Sequence, residues 1–122
     1  MATVLIIEDE MSMAELIRER LGDKGYKTVI AYTGGKGLEI ANTQNPDVIT
    51  LDIYLPDMNG VEVLKMLKMD KDKSSIPVIV ITSDDTLEKE CKGYKADEFV
   101  KKPINFKKLE EIMKLATQKK TS

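Results

Sequence analysis

Acidic, hydroxyl and basic side chains stand directly after or at the end of four apolar segments of this 122-residue chain. Glu8 and Asp9 follow the first segment, Asp52 follows another, Thr82 closes a third, and Lys102 follows the last. Carboxylate oxygens are the ligands that Mg²⁺ prefers, while a lysine and a hydroxyl facing such a cation can hold the oxygens of a phosphoryl group. If the fold brings these side chains together, their types indicate phosphoryl chemistry.

Each of these residues also has an ordinary structural explanation. A single acidic residue beside a loop is usually a solvated carboxylate, Thr82 could simply close a strand as a β-former, and Lys101 could be a solvated charge. Lys102 differs from Lys101 because it precedes Pro103. Three carboxylates at one end of a sheet are harder to explain in this way, because perturbed carboxylate clusters collect at functional sites.

The segments that must position these residues are typical of buried parallel strands. Val4 to Ile7, Val48 to Leu51 and Val78 to Ile81 are short, unbroken apolar runs rich in β-branched residues. Lys27 to Ala31 and Glu98 to Val100 complete a set of five predicted strands. Helical segments separate them, so the order of elements predicts an α/β fold with a parallel sheet. Ligands bind such sheets at the carboxyl ends of the strands, where the candidate residues stand.

The first of five predicted helices has the clearest signals. Ser12 and Glu15 have the spacing of a capping box, and Leu16, Ile17 and Leu21 recur along one face that should be buried.

The remaining helices are predicted from apolar spacing and loop residues. A second, weak helix should run from Thr33 towards Asn42, where three glycines indicate a loose start. A loop over residues 56–60 leads into the third helix, residues 84–94 form a short charged fourth helix, and Phe106 to Ala116 carries the apolar face of the last.

Composition removes several classes of function. The net charge is -2, which gives no support to a broad basic face that binds DNA directly. No apolar run approaches the roughly twenty residues that span a membrane. The chain has no histidine, which excludes histidine-ligated zinc and an internal phosphohistidine, and its single cysteine cannot form an internal disulfide, which fits a cytoplasmic location.

Four motifs, in order, resemble the receiver domains of response regulators from two-component signalling. They are VLIIEDE, ITLDIYLPDMNG, VIVIT and FVKKP, and the likeness covers nearly the whole chain. We therefore expect a chemotaxis-regulator-like receiver domain over 3–118, followed by a polar tail over 119–122. The resemblance implies a doubly wound, flavodoxin-like fold with strand order 2-1-3-4-5 and helices on both faces of the five-stranded sheet.

The resemblance also implies an Mg²⁺ site around a phosphoacceptor. Asp52 would be the phosphorylated aspartate and a metal ligand. Asp9 would bind Mg²⁺ directly, Glu8 through a water molecule, and Tyr54 through its backbone carbonyl.

Further roles follow from the same likeness. Thr82 and Lys102 would contact the phosphoryl group, the Lys102–Pro103 peptide bond could be cis, and Phe99 would be an aromatic switch residue. Tyr54 and Asp84 occupy the positions that control access of the water that removes the phosphoryl group.

The resemblance implies a signalling switch rather than an enzyme acting on other substrates. The chain would catalyse only its own phosphorylation and dephosphorylation. The donor would be a histidine kinase or a histidine phosphotransfer protein acting in trans, and phosphorylation would change the binding of an unknown protein target. Two alternatives stay open: a phosphorelay intermediate, or a receiver that is part of a larger kinase or regulator.

Two other classes fit the residues less well. A phosphatase of the haloacid-dehalogenase type also uses an aspartate at a strand end, but Tyr54 stands where that family has a second aspartate. A flavodoxin-like FMN-binding protein would share the fold, but the acidic end of the sheet would repel the FMN phosphate.

The chain departs from the family pattern between Thr82 and Lys102. This stretch is slightly shorter than usual, and Lys95 stands where a glycine commonly precedes the Ala-Asp pair. Because receivers generally dock their targets in this region, the sequence leaves the target unidentified.

Overall fold

A five-stranded parallel sheet in the order β2-β1-β3-β4-β5 forms the centre of the computed structural model, which describes the backbone of residues 1–121 and the side chains of residues 1–118. The strands are β1 (Thr3–Ile7), β2 (Lys27–Ala31), β3 (Val48–Leu51), β4 (Val78–Thr82) and β5 (Glu98–Lys101). The helices are α1 (Met11–Asp23), α2 (Gly34–Gln44), α3 (Gly60–Met69), α4 (Glu88–Gly93) and α5 (Phe106–Thr121), and a 3-10 turn, Asp85–Leu87, precedes α4. The predicted α/β fold and strand order are confirmed.

Helices cover both faces of the sheet, because alternate strand residues point to opposite sides. One apolar cluster joins Leu5, Ile49 and Val80 to α2, α3 and Cys91 of α4. The other joins Ile6, Val48, Ile79 and Ile81 to α1 and α5. All five predicted strands lie within one residue of the observed bounds at each end.

The predicted capping box of α1 is wrong. The helix begins at Met11, so Ser12 lies inside its first turn and donates a hydrogen bond to the Glu10 side chain at 3.2 Å. Glu15 pairs with Arg18 instead of returning to the helix start. Leu16, predicted to be buried, is 37% exposed, and Ala14 takes its place between the helix and the sheet.

The glycines at the start of α2 have a packing reason that the sequence did not reveal. A Cβ atom on Gly34 would lie 2.5 Å from Met58 Cγ, and one on Gly37 would lie 2.5 Å from Ile7 Cδ1. Thr33 caps the helix by accepting a hydrogen bond from the Lys36 N–H at 3.0 Å. The predicted helix is confirmed and continues two residues beyond Asn42, but its glycines allow close packing rather than a loose start.

The predicted fourth helix is divided into the 3-10 turn and the six-residue α4. Cys91 is its fully buried residue. Lys95 follows with φ of 72°, which is the left-handed conformation that a glycine would adopt without cost.

Helix α5 buries Leu109, Met113 and Ala116, as predicted. Its backbone continues through Thr121 into the segment 119–122 that was predicted to be a polar tail, while Ser122 and the side chains of 119–121 lie outside the described residues. Within the described part of the chain, no helix is both long and apolar enough to cross a bilayer.

Candidate functional site

The carboxyl ends of β1 and β3 place Glu8 and Asp52 next to each other. Ile7 pairs with Leu51, the last residue of each strand. The Asp52 N–H donates to the Ile7 carbonyl at 2.9 Å, and the Glu8 N–H donates to the Ala31 carbonyl at 3.0 Å. The sheet ladder therefore fixes the backbone on which both carboxylates stand.

Glu8, Asp9 and Asp52 form one carboxylate cluster, with a ligand oxygen of each lying within 4.8 Å of the others. Glu8 is 2% exposed and Asp52 is 7% exposed, whereas Asp9 faces solvent. Burial raises the pKa of Glu8 to about 7, and the neighbouring charge of Asp52 acts in the same direction, although hydrogen bonds from Lys102 and the Glu10 N–H oppose them. The cluster thus carries more negative charge than its surroundings stabilise.

Lys102 supplies the positive charge inside this cluster. Its Nζ lies 2.9 Å from Glu8 Oε1 and 3.2 Å from Asp52 Oδ2, and the side chain is only 20% exposed. Burial lowers the pKa of the ammonium group, but the hydrogen bond to Glu8 and the charge of Asp52 outweigh burial and leave this pKa raised. The Lys102 N–H donates to the Thr82 carbonyl at 2.9 Å, and the Lys102–Pro103 peptide bond is cis, as the resemblance suggested.

The two oxygens of Asp52 have different surroundings. Oδ1 accepts hydrogen bonds from the Ile53 N–H at 2.7 Å and the Tyr54 N–H at 3.4 Å, which orient the carboxylate. Oδ2 accepts from the Lys102 ammonium. Asp52 therefore presents a fixed carboxylate with one oxygen held by backbone amides and the other beside a positive charge.

Gly60 forms a support beneath Asp52 that sequence reasoning did not identify as part of the site. Its N–H donates to the Ile53 carbonyl at 2.6 Å, and a Cβ atom there would lie 2.3 Å from the Asp52 carbonyl oxygen. Asn59 caps the following helix through a hydrogen bond from the Val61 N–H at 2.8 Å. The Asn-Gly pair was visible as a loop signal, but its contact with Asp52 depends on the folded loop.

Hydrogen bonds connect Tyr54, in the loop after β3, to Asp84 and Thr82 at the end of β4. Thr82 is 1% exposed, and its Oγ1 accepts a hydrogen bond from the Asp84 N–H at 3.3 Å. Tyr54 is 56% exposed, and its hydroxyl donates to Asp84 Oδ2. This hydrogen bond raises the pKa of the Tyr54 phenol and, after the bond from Thr86, helps to lower the pKa of the Asp84 carboxyl.

Phe99 and Lys101 occupy different surroundings. Phe99 pairs with Val80 in the sheet and packs, partly buried, against the apolar cluster that contains α3 and α4. Its predicted switch role stays a prediction. Lys101 is exposed and forms an ion pair with Asp85 at 3.0 Å, in keeping with its expected solvated position.

The arrangement can hold a hard divalent cation beside a nucleophilic carboxylate. Of the three clustered carboxylates, Glu8 and Asp52 contact the Lys102 ammonium group, so a cation would relieve the excess negative charge. The donor atoms are all oxygens, which favours Mg²⁺ over metals that prefer nitrogen or sulfur. Lys102 stands where it could also pair with a phosphoryl group on Asp52.

Known proteins are similar in sequence to this chain over most of its length. Over 113 residues the chain is 34% identical to the probable transcriptional regulatory protein TcrX of Mycobacterium tuberculosis, which covers 91% of this chain and 46% of TcrX. It is 32% identical over 114 residues to the polar-differentiation response regulator DivK of Brucella ovis, covering 92% of this chain and 93% of DivK. The chain thus spans about half the length of TcrX and nearly all of DivK.

A solved structure gives the same result for the fold. The chemotaxis response regulator CheY4 of Vibrio cholerae superposes with a TM-score of 0.87 at 29% identity, over 95% of this chain and 98% of that protein. The family model of the response regulator receiver domain matches residues 4–114. The chain therefore belongs to the receiver domains of two-component signalling, for which phosphorylation on an aspartate and Mg²⁺ binding at an acidic pocket are general properties.

Proposed function

We propose that this chain is a phosphorylation-controlled signalling switch whose acceptor is Asp52. The observation that carries the proposal is the cluster of Glu8, Asp9 and Asp52 at the carboxyl end of the sheet, where the Lys102 ammonium contacts Glu8 and Asp52. Receiver domains accept phosphoryl groups from histidine kinases or phosphotransfer proteins. This chain has no histidine, so the donor phosphohistidine lies outside these 122 residues.

Asp9, Asp52 and the Tyr54 backbone carbonyl are the groups that would hold Mg²⁺ directly. Glu8 would act through water, because one of its oxygens already accepts from Lys102 and the other accepts from the Glu10 N–H at 3.1 Å. When bound, the metal ion supplies positive charge for the transferring phosphoryl group. The residues present fit a hard cation through their oxygen-only donor set.

In the proposed reaction, Asp52 Oδ2 attacks the phosphorus of the donor phosphohistidine in line with the P–N bond. An O–P bond forms as the P–N bond breaks, and the electron pair leaves with the donor imidazole. The Ile53 and Tyr54 N–H groups hold Oδ1 and so keep Oδ2 facing the donor. Lys102 and Thr82 would then pair with the phosphoryl oxygens.

Loss of the phosphoryl group needs water to reach the acyl phosphate. Tyr54 stands at the mouth of the site with its ring directed towards Asp84 through their hydrogen bond. We expect this bulk to slow hydrolysis, so Tyr54→Ala should shorten the phosphorylated lifetime at least about threefold. Decay measured by mass spectrometry would test this, and an unchanged half-life would contradict it.

The chain is proposed to act only on its own aspartate and to work in the cytoplasm, where a histidine kinase presents its phosphohistidine. A phosphorelay role is the main alternative. Transfer from phosphorylated Asp52 to a histidine phosphotransfer protein, in preference to phosphorylation-dependent target binding, would favour the relay. The match to about half of TcrX leaves a role within a larger regulator as a further proposal.

Phosphorylation of the purified chain by acetyl phosphate and Mg²⁺ tests the central claim. We expect mass spectrometry to find one added phosphoryl group that is lost in alkali, and to find none in Asp52→Ala. Asp23→Ala, which removes an exposed aspartate at the end of α1, is the matched control and should be modified like the wild type. Modification that persists in Asp52→Ala would refute the assignment.

A further inference from the structure

The Tyr54 hydroxyl joins the loop after β3 to the segment after β4. Tyr54 stands two residues after Asp52, and its backbone N–H is 3.4 Å from Asp52 Oδ1. Its hydroxyl donates to Asp84 Oδ2, and the two residues are 30 positions apart in the chain. This hydrogen bond therefore links the acceptor loop to a different part of the fold.

Asp84 also holds the start of the helical segment 85–93. Its Oδ1 accepts from the Thr86 N–H at 3.0 Å and from the Thr86 hydroxyl, so Asp84 is the N-cap of the 3-10 turn that continues into α4. Leu87 and Cys91 fasten this segment to the apolar cluster beneath it. The position of Asp84 thus helps to determine how firmly α4 is held.

Asp84 also contacts Thr82, whose hydroxyl would pair with the phosphoryl group on Asp52 in the proposed function. The Asp84 N–H donates to Thr82 Oγ1 at 3.3 Å. If Thr82 turns towards a phosphoryl group on Asp52, this acceptor moves and the Asp84 backbone must move or lose its hydrogen bond. A shift of the Asp84 backbone would displace the carboxylate that accepts the hydrogen bond from Tyr54.

We propose that Tyr54 and Asp84 are positioning residues that form a latch, in which the Tyr54 hydroxyl holds the Asp84 cap and so couples the phosphorylation site to the stability of α4. When the Tyr54–Asp84 hydrogen bond is formed, Asp84 is fixed by Tyr54 as well as by Thr82, and α4 rarely unfolds locally. Phosphorylation of Asp52 releases the latch and makes α4 open more often. The phosphorylation step of this inference rests on the proposed function.

This role belongs to the Tyr54 hydroxyl and is separate from the bulk of the ring. Tyr54→Phe keeps the ring over the site but removes the hydrogen bond to Asp84. Asp84→Asn weakens the same bond from the other side, because a neutral amide oxygen replaces the charged acceptor. Tyr32→Phe, at a partly exposed tyrosine beyond the end of β2, is the matched control for loss of a phenolic hydroxyl.

Cys91 provides a native reporter for α4. It is the single cysteine of the chain, it is fully buried, and burial raises the pKa of its thiol. A thiol reagent such as dithionitrobenzoate can therefore reach it only when α4 opens locally. The labelling rate under native conditions measures how often this happens.

The experiment compares Cys91 labelling in the wild type, Tyr54→Phe, Asp84→Asn, the double variant and Tyr32→Phe. Without phosphodonor, we expect both single latch variants to label about fivefold faster than the wild type, because neither has the hydrogen bond from the Tyr54 hydroxyl to a charged carboxylate. The double variant should label no faster than either single one, since the same bond is removed only once. Tyr32→Phe should label like the wild type.

The second half of the experiment adds acetyl phosphate and Mg²⁺. Phosphorylated wild type should then label nearly as fast as unphosphorylated Tyr54→Phe. Phosphorylation should hardly change the labelling rate of Tyr54→Phe itself. If the hydrogen bond merely stabilised the fold, phosphorylation would change the labelling rate of the wild type and of Tyr54→Phe by the same factor. Asp52→Asn should show no acceleration under these conditions.

The outcomes separate the latch from the proposed function. Equal labelling of unmodified wild type and Tyr54→Phe, or equal acceleration of both by phosphorylation, would overturn the latch while mass spectrometry still reported on Asp52. Failure of the wild type to take up a phosphoryl group would refute the acceptor role and the phosphorylation step of the latch. The labelling of the unmodified variants would still decide whether Tyr54 holds α4.

Discussion

At the scale of single residues, burial distinguishes the carboxylates of this site from ordinary surface acids. Glu8 and Asp52 are almost fully buried, yet they share the single ammonium group of Lys102. Burial raises the pKa of Glu8 to about 7. Because this pKa differs between the folded and the unfolded chain, the free energy of unfolding depends on pH.

The first prediction concerns this dependence in metal-free protein. The folded-state pKa of Glu8 lies above its value of 4.5 in the unfolded chain, so between about pH 4.5 and 7 the folded state binds the extra proton. The contribution of Glu8 to stability is therefore fully present below pH 4.5 and is lost as the pH rises through 7, with a slope of up to about 1.4 kcal/mol per pH unit.

Urea unfolding in EDTA across this pH range measures the slope. Glu8→Gln should reduce it, because the amide does not titrate. Glu15→Gln, at an exposed position of α1, should keep the wild-type slope. Identical pH profiles for Glu8→Gln and the wild type would contradict the assignment of the proton to Glu8.

Gly60 gives a second prediction at this scale. A Cβ atom at residue 60 would lie 2.3 Å from the Asp52 carbonyl oxygen and 2.6 Å from Ile53 Cα, and neither backbone atom can move without shifting the acceptor. We expect Gly60→Ala to lower the free energy of unfolding by about 1–3 kcal/mol and to slow phosphorylation by acetyl phosphate.

Gly22→Ala is the control for this substitution. Gly22 lies in α1, where a Cβ atom would meet nothing within 4 Å, so alanine there should stabilise the chain by about 0.5–1 kcal/mol. Denaturant unfolding and phosphorylation kinetics on both variants test the pair. A Gly60→Ala protein as stable and as reactive as the wild type would show that the loop can relax.

Single-residue reasoning from sequence succeeded where a strand fixed the position. Glu8, Asp52 and Thr82 could be placed at one edge because each stands at the end of an apolar run, and the carboxyl ends of parallel strands share an edge. Gly60 and Asp57 could not be found in this way. Asp57 accepts hydrogen bonds from the Gly34 and Gly35 N–H groups at 2.8 Å, a contact between the loop after β3 and the start of α2 that no local sequence pattern indicates.

At the scale of elements, the strands were easier to predict than the helix ends. An unbroken apolar run such as Val48 to Leu51 has few alternatives, because both of its faces are buried. The start of α1 depended instead on a short-range hydrogen bond, in which the buried Glu8 side chain accepts from the Glu10 N–H just before the helix begins at Met11. The capping-box spacing of Ser12 and Glu15 carried no information about that contact.

The end of α4 gives a prediction at this scale. Lys95 adopts a φ of 72° in the turn between α4 and β5, and its N–H donates to the Lys92 carbonyl at 3.0 Å. A left-handed conformation costs a residue with a side chain about 1–2 kcal/mol. Glycine avoids this cost, but it loses more conformational entropy on folding, which offsets part of the gain. We therefore expect Lys95→Gly to stabilise the chain by about 0.5–1 kcal/mol.

Lys89→Gly is the matched control for Lys95→Gly. Lys89 is exposed and lies inside α4, so glycine there should destabilise by about 1 kcal/mol through loss of helix propensity. Thermal unfolding of both variants decides the question. A lower melting temperature for Lys95→Gly than for the wild type would show that the lysine side chain stabilises this turn by contacts that outweigh its backbone conformation.

At the scale of the whole molecule, strand order converts distant sequence positions into one site. Because β1 and β3 lie beside each other in the centre of the sheet and β4 follows, residues 8, 52 and 82 converge although roughly forty and thirty positions separate them. The alternation of strands and helices predicted this convergence. Which faces of α4 and α5 a partner would use depends on that partner, which is why the target could not be inferred.

The same convergence concentrates negative charge, which leads to the last prediction. In EDTA, Asp52→Asn removes one of the carboxylates that lie within 4.8 Å of each other, and we expect it to raise the free energy of unfolding at neutral pH by on the order of 1 kcal/mol. Mg²⁺ should reverse the order of stability. A ligand that binds only the folded state adds about 2.7 kcal/mol at roughly one hundred times its dissociation constant, and the variant has lost a carboxylate ligand.

Urea unfolding of both proteins, with EDTA and with Mg²⁺, measures this exchange. Asp23→Asn removes an exposed negative charge far from the cluster and should follow the wild type in both conditions. A lower stability of Asp52→Asn in EDTA would mean that the Lys102 contact to Asp52 outweighs the repulsion among the carboxylates. Equal stabilisation of both proteins by Mg²⁺ would instead place the cation away from Asp52, because binding at the cluster must depend on this carboxylate.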